Sequence, residues 1–315
     1  MASKNTISRA ARAAVADDQA VLAASAHLTE RDRYLVRLVA EHRVLTTGQL
    51  CALGFASIIT ARHRLGLLVR IGVLRRFRPR REVGSAPWHY LLGPVGAALL
   101  GAEDRAEKKW LPQVRADRQV ALERSQRLAH MTGTNWFFVS LARHAREGGG
   151  ELRCWLGETA TSDYIYNWGY GRSSGLPCPD GLGIWAEDSK EITFLLEYDT
   201  GSEHLPRLAA KLEHYAHLAT DSTYERRERI TLPLLFCFPS ARREQSARRA
   251  LQASIHAARL KIATAAFDPQ ETCPAGELWL PLASPGQLRQ VRLADVTHAL
   301  APARAAYDNP GRYTR

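Results

Sequence analysis

The 315-residue sequence has only five cysteines, Cys51, Cys154, Cys178, Cys237 and Cys273, and no two stand as a C-x-x-C pair. That spacing argues against a disulfide scaffold or a structural zinc, and for reduced, buried thiols in a cytoplasmic protein. No apolar run approaches the roughly 20 residues of a membrane helix. The opening MASKNTISRAARAAVADDQA lacks the apolar core of roughly 7–15 residues that a secretory signal needs, so residues 1–27 read as a tail. No G-x-x-x-x-G-K-[ST] occurs, which excludes a P-loop ATPase. His204, His214 and His217 miss the His-x-x-x-His spacing of a zinc helix and read as solvated or capping residues. A tyrosine relaxase would need a His-rich metal triad, and none is visible.

The most telling absence is local. Between Arg62 and Arg81 there is no acid, while Arg62, Arg64, Arg70, Arg75, Arg76, Arg78, Arg80 and Arg81 crowd into the stretch. The whole chain carries 43 Lys+Arg against 32 Asp+Glu, a net +11, so a polyanion, and nucleic acid above all, is the expected partner.

Around that patch the pattern is a compact module over residues 28–101. LTERDRYLVRLVAEH places Leu35, Val36, Leu38 and Val39 at helical spacing behind Thr29 or Asp32 as caps. TTGQLCALGF gives a short second helix, and Ser57 caps IITARHRLGLLVRIG as a third. Two strands around Gly-Ser-Ala-Pro and a final helix after Pro94 follow. Three helices and a basic hairpin predict a winged helix-turn-helix. Arg62 and Arg64 would then stand near the start of the recognition helix, and Arg75, Arg76, Arg78, Arg80 and Arg81 on the wing against double-stranded DNA. A protein-binding winged helix with a solvated basic face is the alternative.

Residues 102–128 are highly charged and read as a helical linker. Residues 129–300 mix helices and strands in an order that predicts a mixed sheet flanked by helices, and 301–315 a tail. The expected fold class is thus α+β. SDYIYNWGYG, with Tyr164, Tyr166, Trp168 and Tyr170, reads as a core strand and loop, with base stacking as the alternative.

The chemistry gathers in PDGLGIWAEDSKEITFLLEYDTG, from Pro179 to Gly201. Strand alternation sets Glu197 and Asp199 on one side, and like charges so placed repel unless something neutralises them. Mg²⁺ or Mn²⁺, held by one or two carboxylates and a phosphate, would do so, with Asp180, Glu197 and Asp199 as candidate ligands. A hairpin centred on Asp188 would not set Asp180 face to face with Glu197 without a bulge or twist. Asp199-Thr200-Gly201-Ser202-Glu203 is alternatively a turn and a helix cap.

Pro-Asp, a strand, a turn and a strand ending Glu-x-Asp resemble the PD-(D/E)XK nuclease superfamily, which implies metal-bound acids assisted by a lysine. The usual lysine position holds Asp199, and Lys211 on the following helix is placed to take that role. The longer string, P-D then L-E-Y-D-T-G-S-E and K-L-E-H-Y behind a winged helix, resembles the replication-relaxation family of actinobacterial plasmids and integrated elements. That resemblance spans roughly residues 30–240, with Glu203 and Tyr215 in its pattern. It implies plasmid replication, DNA relaxation or transfer, with a plasmid or element origin as target. The readings stay two: a metal-dependent nicking endonuclease, or a non-catalytic initiator or regulator that only binds DNA. A homodimer is compatible with either.

Overall fold

The computed structural model describes residues 18–80, 84–107, 122, 125, 127–165, 177–220, 232–282 and 289–300. Arg81, Tyr166, Trp168, Tyr170, most of the expected linker and both expected tail ends lie outside them. The architecture is mixed α+β, with two separate sheets.

The first unit forms because its helix starts are chemically fixed. After α1 (Asp18–His27), Thr29 and Asp32 close a reciprocal capping box on α2 (Glu30–His42). Strand β1 (Leu45–Thr46) runs into a second such box, Thr46 with Gln49, that opens α3 (Thr47–Gly54). The Ser57 hydroxyl accepts from the Thr60 amide and starts α4 (Ile58–Arg70). A hairpin, β2 (Leu74–Phe77) and β3 (His89–Leu92), closes a three-stranded sheet in the order β1-β3-β2, and α5 (Pro94–Glu107) follows. Leu35, Val39, Leu45, Leu50, Leu65 and Leu68 are among the fully buried residues at its centre.

A six-stranded sheet forms the second unit. Its strands are β4 (Glu151–Gly157), β5 (Gly181–Glu187), β6 (Lys190–Tyr198), β7 (Leu234–Phe238), β8 (Ile262–Ala266) and β9 (Leu280–Pro281), in chain order across the sheet. The β6–β7 and β7–β8 pairs are parallel and the rest antiparallel. Helix α6 (Arg127–Arg146) covers one face with Phe137, Phe138 and Leu141. Helices α8 (Leu205–Thr220) and α9 (Ala241–Gln252) cover the other with Leu208, Leu212 and Leu251. Between β4 and β5 lies α7 (Glu158–Ile165), where a strand was expected, so Tyr164 rides a helix and is half exposed. Thr161, Ser162 and Ile165 are the buried residues among its eight, a one-turn spacing that suits a helix and not the alternation of a strand.

Helix α6 also ties the units together. Val139 packs in the first core, the Asn135 amide donates to Val44 O at 2.8 Å, and the Gln49 amide donates to Thr132 O at 2.8 Å.

The β5–β6 hairpin sets the register that matters. Its turn is two residues long, Asp188 and Ser189, with φ of 48° and 61°. Two successive residues in this left-handed region give the tight turn whose twist suits a hairpin. The hairpin is therefore centred between 188 and 189, not on Asp188, and the pairing runs from Glu187↔Lys190 to Gly181↔Leu196. Continued by one residue, it brings Asp180 beside Glu197, with no bulge in that ladder.

Candidate functional site

Asp180 stands just before β5. Its amide donates to Leu196 O at 2.9 Å, and its Oδ2 accepts from the Tyr198 amide at 2.7 Å. The carboxylate thus finishes the edge of the sheet where the β5 backbone stops. His130, near the start of α6, brings Nε2 to 3.1 Å from the same Oδ2. It can come so close because α6 passes over Tyr198 at Gly133, where a Cβ would lie 2.3 Å from the tyrosine ring. Burial opposes protonation of His130, yet the hydrogen bond and charge of Asp180 hold its pKa above the ordinary 6.5.

Glu197 is buried between the sheet and α8. Lys211 Nζ lies 2.9 Å from its Oε2, and the Tyr215 hydroxyl donates to its Oε1. Both α8 residues reach it because positions 211 and 215 are one turn apart on the face that packs on β6. Burial first, and then the negative charge of Asp180, push the Glu197 carboxyl up to about 7, against the pull of Lys211. Lys211 also pairs with Glu203 at 3.0 Å; burial lowers its pKa, but the two carboxylates raise it above its ordinary value. Burial sends the Tyr215 hydroxyl well above 10.

Asp199 is differently occupied. Its Oδ1 accepts the Gly201 amide at 2.8 Å, closing the turn after β6, and its Oδ2 takes the Arg243 guanidinium at 2.6 Å. Arg243, from the first turn of α9, also donates to Glu203 O. The expected three-carboxylate metal set does not form, because Arg243 neutralises Asp199. Among the described residues no three His, Cys, Asp or Glu side chains converge on one point. Both Glu197 oxygens already meet Lys211 and Tyr215, and Asp180 Oδ2 meets the Tyr198 amide and His130, so a divalent ion would have to displace one of these partners. The upward push on Glu197 from Asp180 is the repulsion such an ion would relieve. His130, Asp180, Asp199 and Lys211 line a cavity of about 940 Å³ whose opposite wall includes Glu41 and Arg43 of the first unit.

The basic residues divide into two groups. Arg64 turns inward: its Nε lies 3.0 Å from Oδ1 of the fully buried Asp32, and its guanidinium also donates to His27 O at 2.7 Å. Burial works against the Asp32 charge, but Arg64 and Thr29 hold its pKa below 3.8. The expectation that Arg64 reads a base is corrected accordingly, because the only charge-balanced place for Asp32 is against it. Arg62, Arg75, Arg76, Arg78 and Arg80 are exposed, and none forms an ion pair among the described residues. Arg76 and Arg78 lie on the Trp88 ring at 4.3 and 4.2 Å. That stack orders two guanidiniums of the hairpin without discharging them.

Comparison with protein-family models finds the replication-relaxation model matching residues 36–235. The chain belongs to the replication-relaxation family. The match takes in α3, α4, the basic hairpin, Asp180, Glu197, Asp199, Lys211 and Tyr215, and it carries a role in plasmid replication or relaxation. Comparison with curated proteins and with solved structures finds no match. Among the described residues, no single helix is long and apolar enough to cross a membrane.

Sequence reasoning missed His130, Arg243 and Trp88. His130 and Arg243 lie 50 and 44 positions from the carboxylates they meet, with no local signature. Trp88 stands just before β3, and Arg78 just after β2, where no strand pattern marks the contact.

Proposed function

We propose that this protein binds duplex DNA through residues 28–101, read as a winged helix, and acts on plasmid DNA at the Asp180–Glu197–Lys211 cluster as a nicking phosphodiesterase. The observation that carries the reading is the run from Ile58 to Arg80, with no acid and with exposed guanidiniums on both α4 and the hairpin, Arg62, Arg75, Arg76, Arg78 and Arg80, that form no ion pair among the described residues. Such a surface releases counterions from DNA on contact and gains affinity without reference to sequence. In a winged helix, α4 would occupy the major groove and the hairpin the adjoining backbone.

The cleavage part rests on Asp180 and Lys211, which line the cavity, and on Glu197 buried behind them with its Oε2 2.9 Å from Lys211 Nζ. In this PD-(D/E)XK-like reading, Lys211 replaces the lysine whose usual position Asp199 fills. Its ammonium would meet the developing charge on a phosphate. His130 Nε2, on Asp180, can hold a proton near the reacting group. Mg²⁺ or Mn²⁺ held by Asp180 and Glu197 would supply charge neutralisation and a more acidic water. The work would take place in the cytoplasm, at a plasmid or element origin. One observation favours the second reading, a non-catalytic initiator or regulator: Lys211, Arg243 and His130 already stand against the three acids.

Two measurements test the proposal. Duplex affinity across a salt series should fall steeply, and Arg75→Ala, Arg76→Ala and Arg78→Ala together should flatten the log–log slope by about 0.9 for each phosphate they no longer neutralise. Supercoiled plasmid with Mg²⁺ or Mn²⁺ should convert to open circles. No binding would sink the whole reading, and binding without nicking would leave the regulator.

A further inference from the structure

One face of α4 carries two features that the fold does not need. Ala61, Leu65 and Leu68 bury the inner face. At 100° per residue, the direction opposite them is held by Ile59, His63, Gly66 and Arg70, with Arg62 on the flank. Ile59 is 65% exposed and lies next to Ile58, itself 38% exposed. A branched aliphatic side chain so exposed in a helix's first turn stabilises little in the free chain. Gly66 is equally unexplained from within: a Cβ there would meet no atom within 4 Å, and its backbone is ordinary helix. Glycine weakens a helix interior relative to alanine, so the chain accepts a loss with no internal return.

Both features gain a purpose only from outside the chain. The exposed aliphatic offers an apolar contact, and the glycine lets another surface approach the helix backbone more closely than a methyl group would permit. Charge selects the kind of surface. Arg62 and Arg70 flank these residues, Arg75, Arg76, Arg78 and Arg80 follow on the hairpin, and no acid occurs from Ile58 to Arg80. Arg64, bound to Asp32, does not point this way. A polyanion with apolar spots on a grooved surface is duplex DNA, whose major groove displays the 5-methyl group of each thymine.

We infer that α4 presents Ile59 to a thymine 5-methyl group in the major groove, with Gly66 admitting the groove close to the helix backbone. Ile59 is then a specificity-determining residue, and thymine belongs in the recognised site about one turn of α4 from the bases near Arg62 and His63. The inference rests on the duplex-binding reading above.

The full chain is used to enrich preferred duplexes from a random library, and each thymine of the enriched site is then replaced by deoxyuridine, which lacks only the methyl. At one position or more, the wild type should lose about fourfold in affinity, the worth of one buried methyl. Ile59→Ala should lose the thymine preference at that same position, binding the thymine and uracil sites equally. Gly66→Ala should raise the melting temperature by about 2–4 °C and yet weaken duplex binding by about tenfold. Equal affinity for thymine and uracil throughout, or full binding by Gly66→Ala, overturns the inference. A wild type that binds no duplex at all instead overturns the reading beneath it. A change in oligomeric state in Ile59→Ala with DNA binding intact would make the face a self-association surface and refute the inference too.

Discussion

Replacing Lys211 by methionine isolates the electrostatics of the cluster. The variant keeps most of the aliphatic stem and removes the charge 2.9 Å from Glu197 and 3.0 Å from Glu203. In the wild type the Glu197 pKa of about 7 lies above the ordinary 4.5. The folded protein therefore holds this proton more tightly than the unfolded chain, and the associated stability is lost as the pH rises from about 4.5 through 7. Without the lysine the buried carboxylate has lost its nearest cation, so its folded pKa climbs above 7 and the loss continues to higher pH. Each pH unit of that extension is worth at most about 1.4 kcal/mol. Between pH 7 and 8.5 the variant should thus fall behind the wild type by up to about 2 kcal/mol, against a much smaller gap at pH 5.5. Thermal unfolding would show the gap as about 4–8 °C more at pH 8.5 than at pH 5.5. Glu197→Gln in the same background should abolish the difference between the two pH values. His130 titrates nearby, but it is common to all three proteins, and His130→Asn serves as the control. An equal gap at both pH values, or a pH-dependent gap that survives Glu197→Gln, would refute the assignment of Glu197 as the buried titrating group.

Arg64→Ala should destabilise the protein by about 3 kcal/mol, because Asp32 would be left buried without its partner; a melting curve unchanged from the wild type would return Arg64 to the DNA surface. Asp180→Asn should remove nicking with duplex affinity kept, as read from supercoiled-to-open-circle conversion and a binding titration side by side. Asp199→Asn should lower stability through the loss of the Arg243 pair while leaving detectable nicking, and complete loss in a folded protein would restore Asp199 to the reacting set. Calorimetric titration with Mg²⁺ or Mn²⁺ should show weak binding that disappears in Asp180→Asn.

Local chemistry was written in the sequence. Thr29 or Asp32 for α2 and Ser57 for α4 announce a helix start within a few residues of chain, and Thr29 and Ser57 both form caps. The apolar strand from Ile192, the acids at its end and the acid-free basic run were equally legible, because alternation and helical spacing report which face is buried. Pairing across the chain was not. One residue in the centring of the Asp188–Ser189 turn decides whether Asp180 stands beside Glu197, and positive φ at two non-glycine residues leaves no reliable trace in composition. Asp199 and Glu197 look alike in a strand pattern, yet Arg243 takes one and Lys211 the other. Arg62 and Arg64 look alike in a basic run, yet two residues along a helix is about 200° of rotation, which turns Arg64 to Asp32 and leaves Arg62 in solvent. Residue type set which charges exist, and only the packing of α4, α8 and α9 against their neighbours decided which of them are paired.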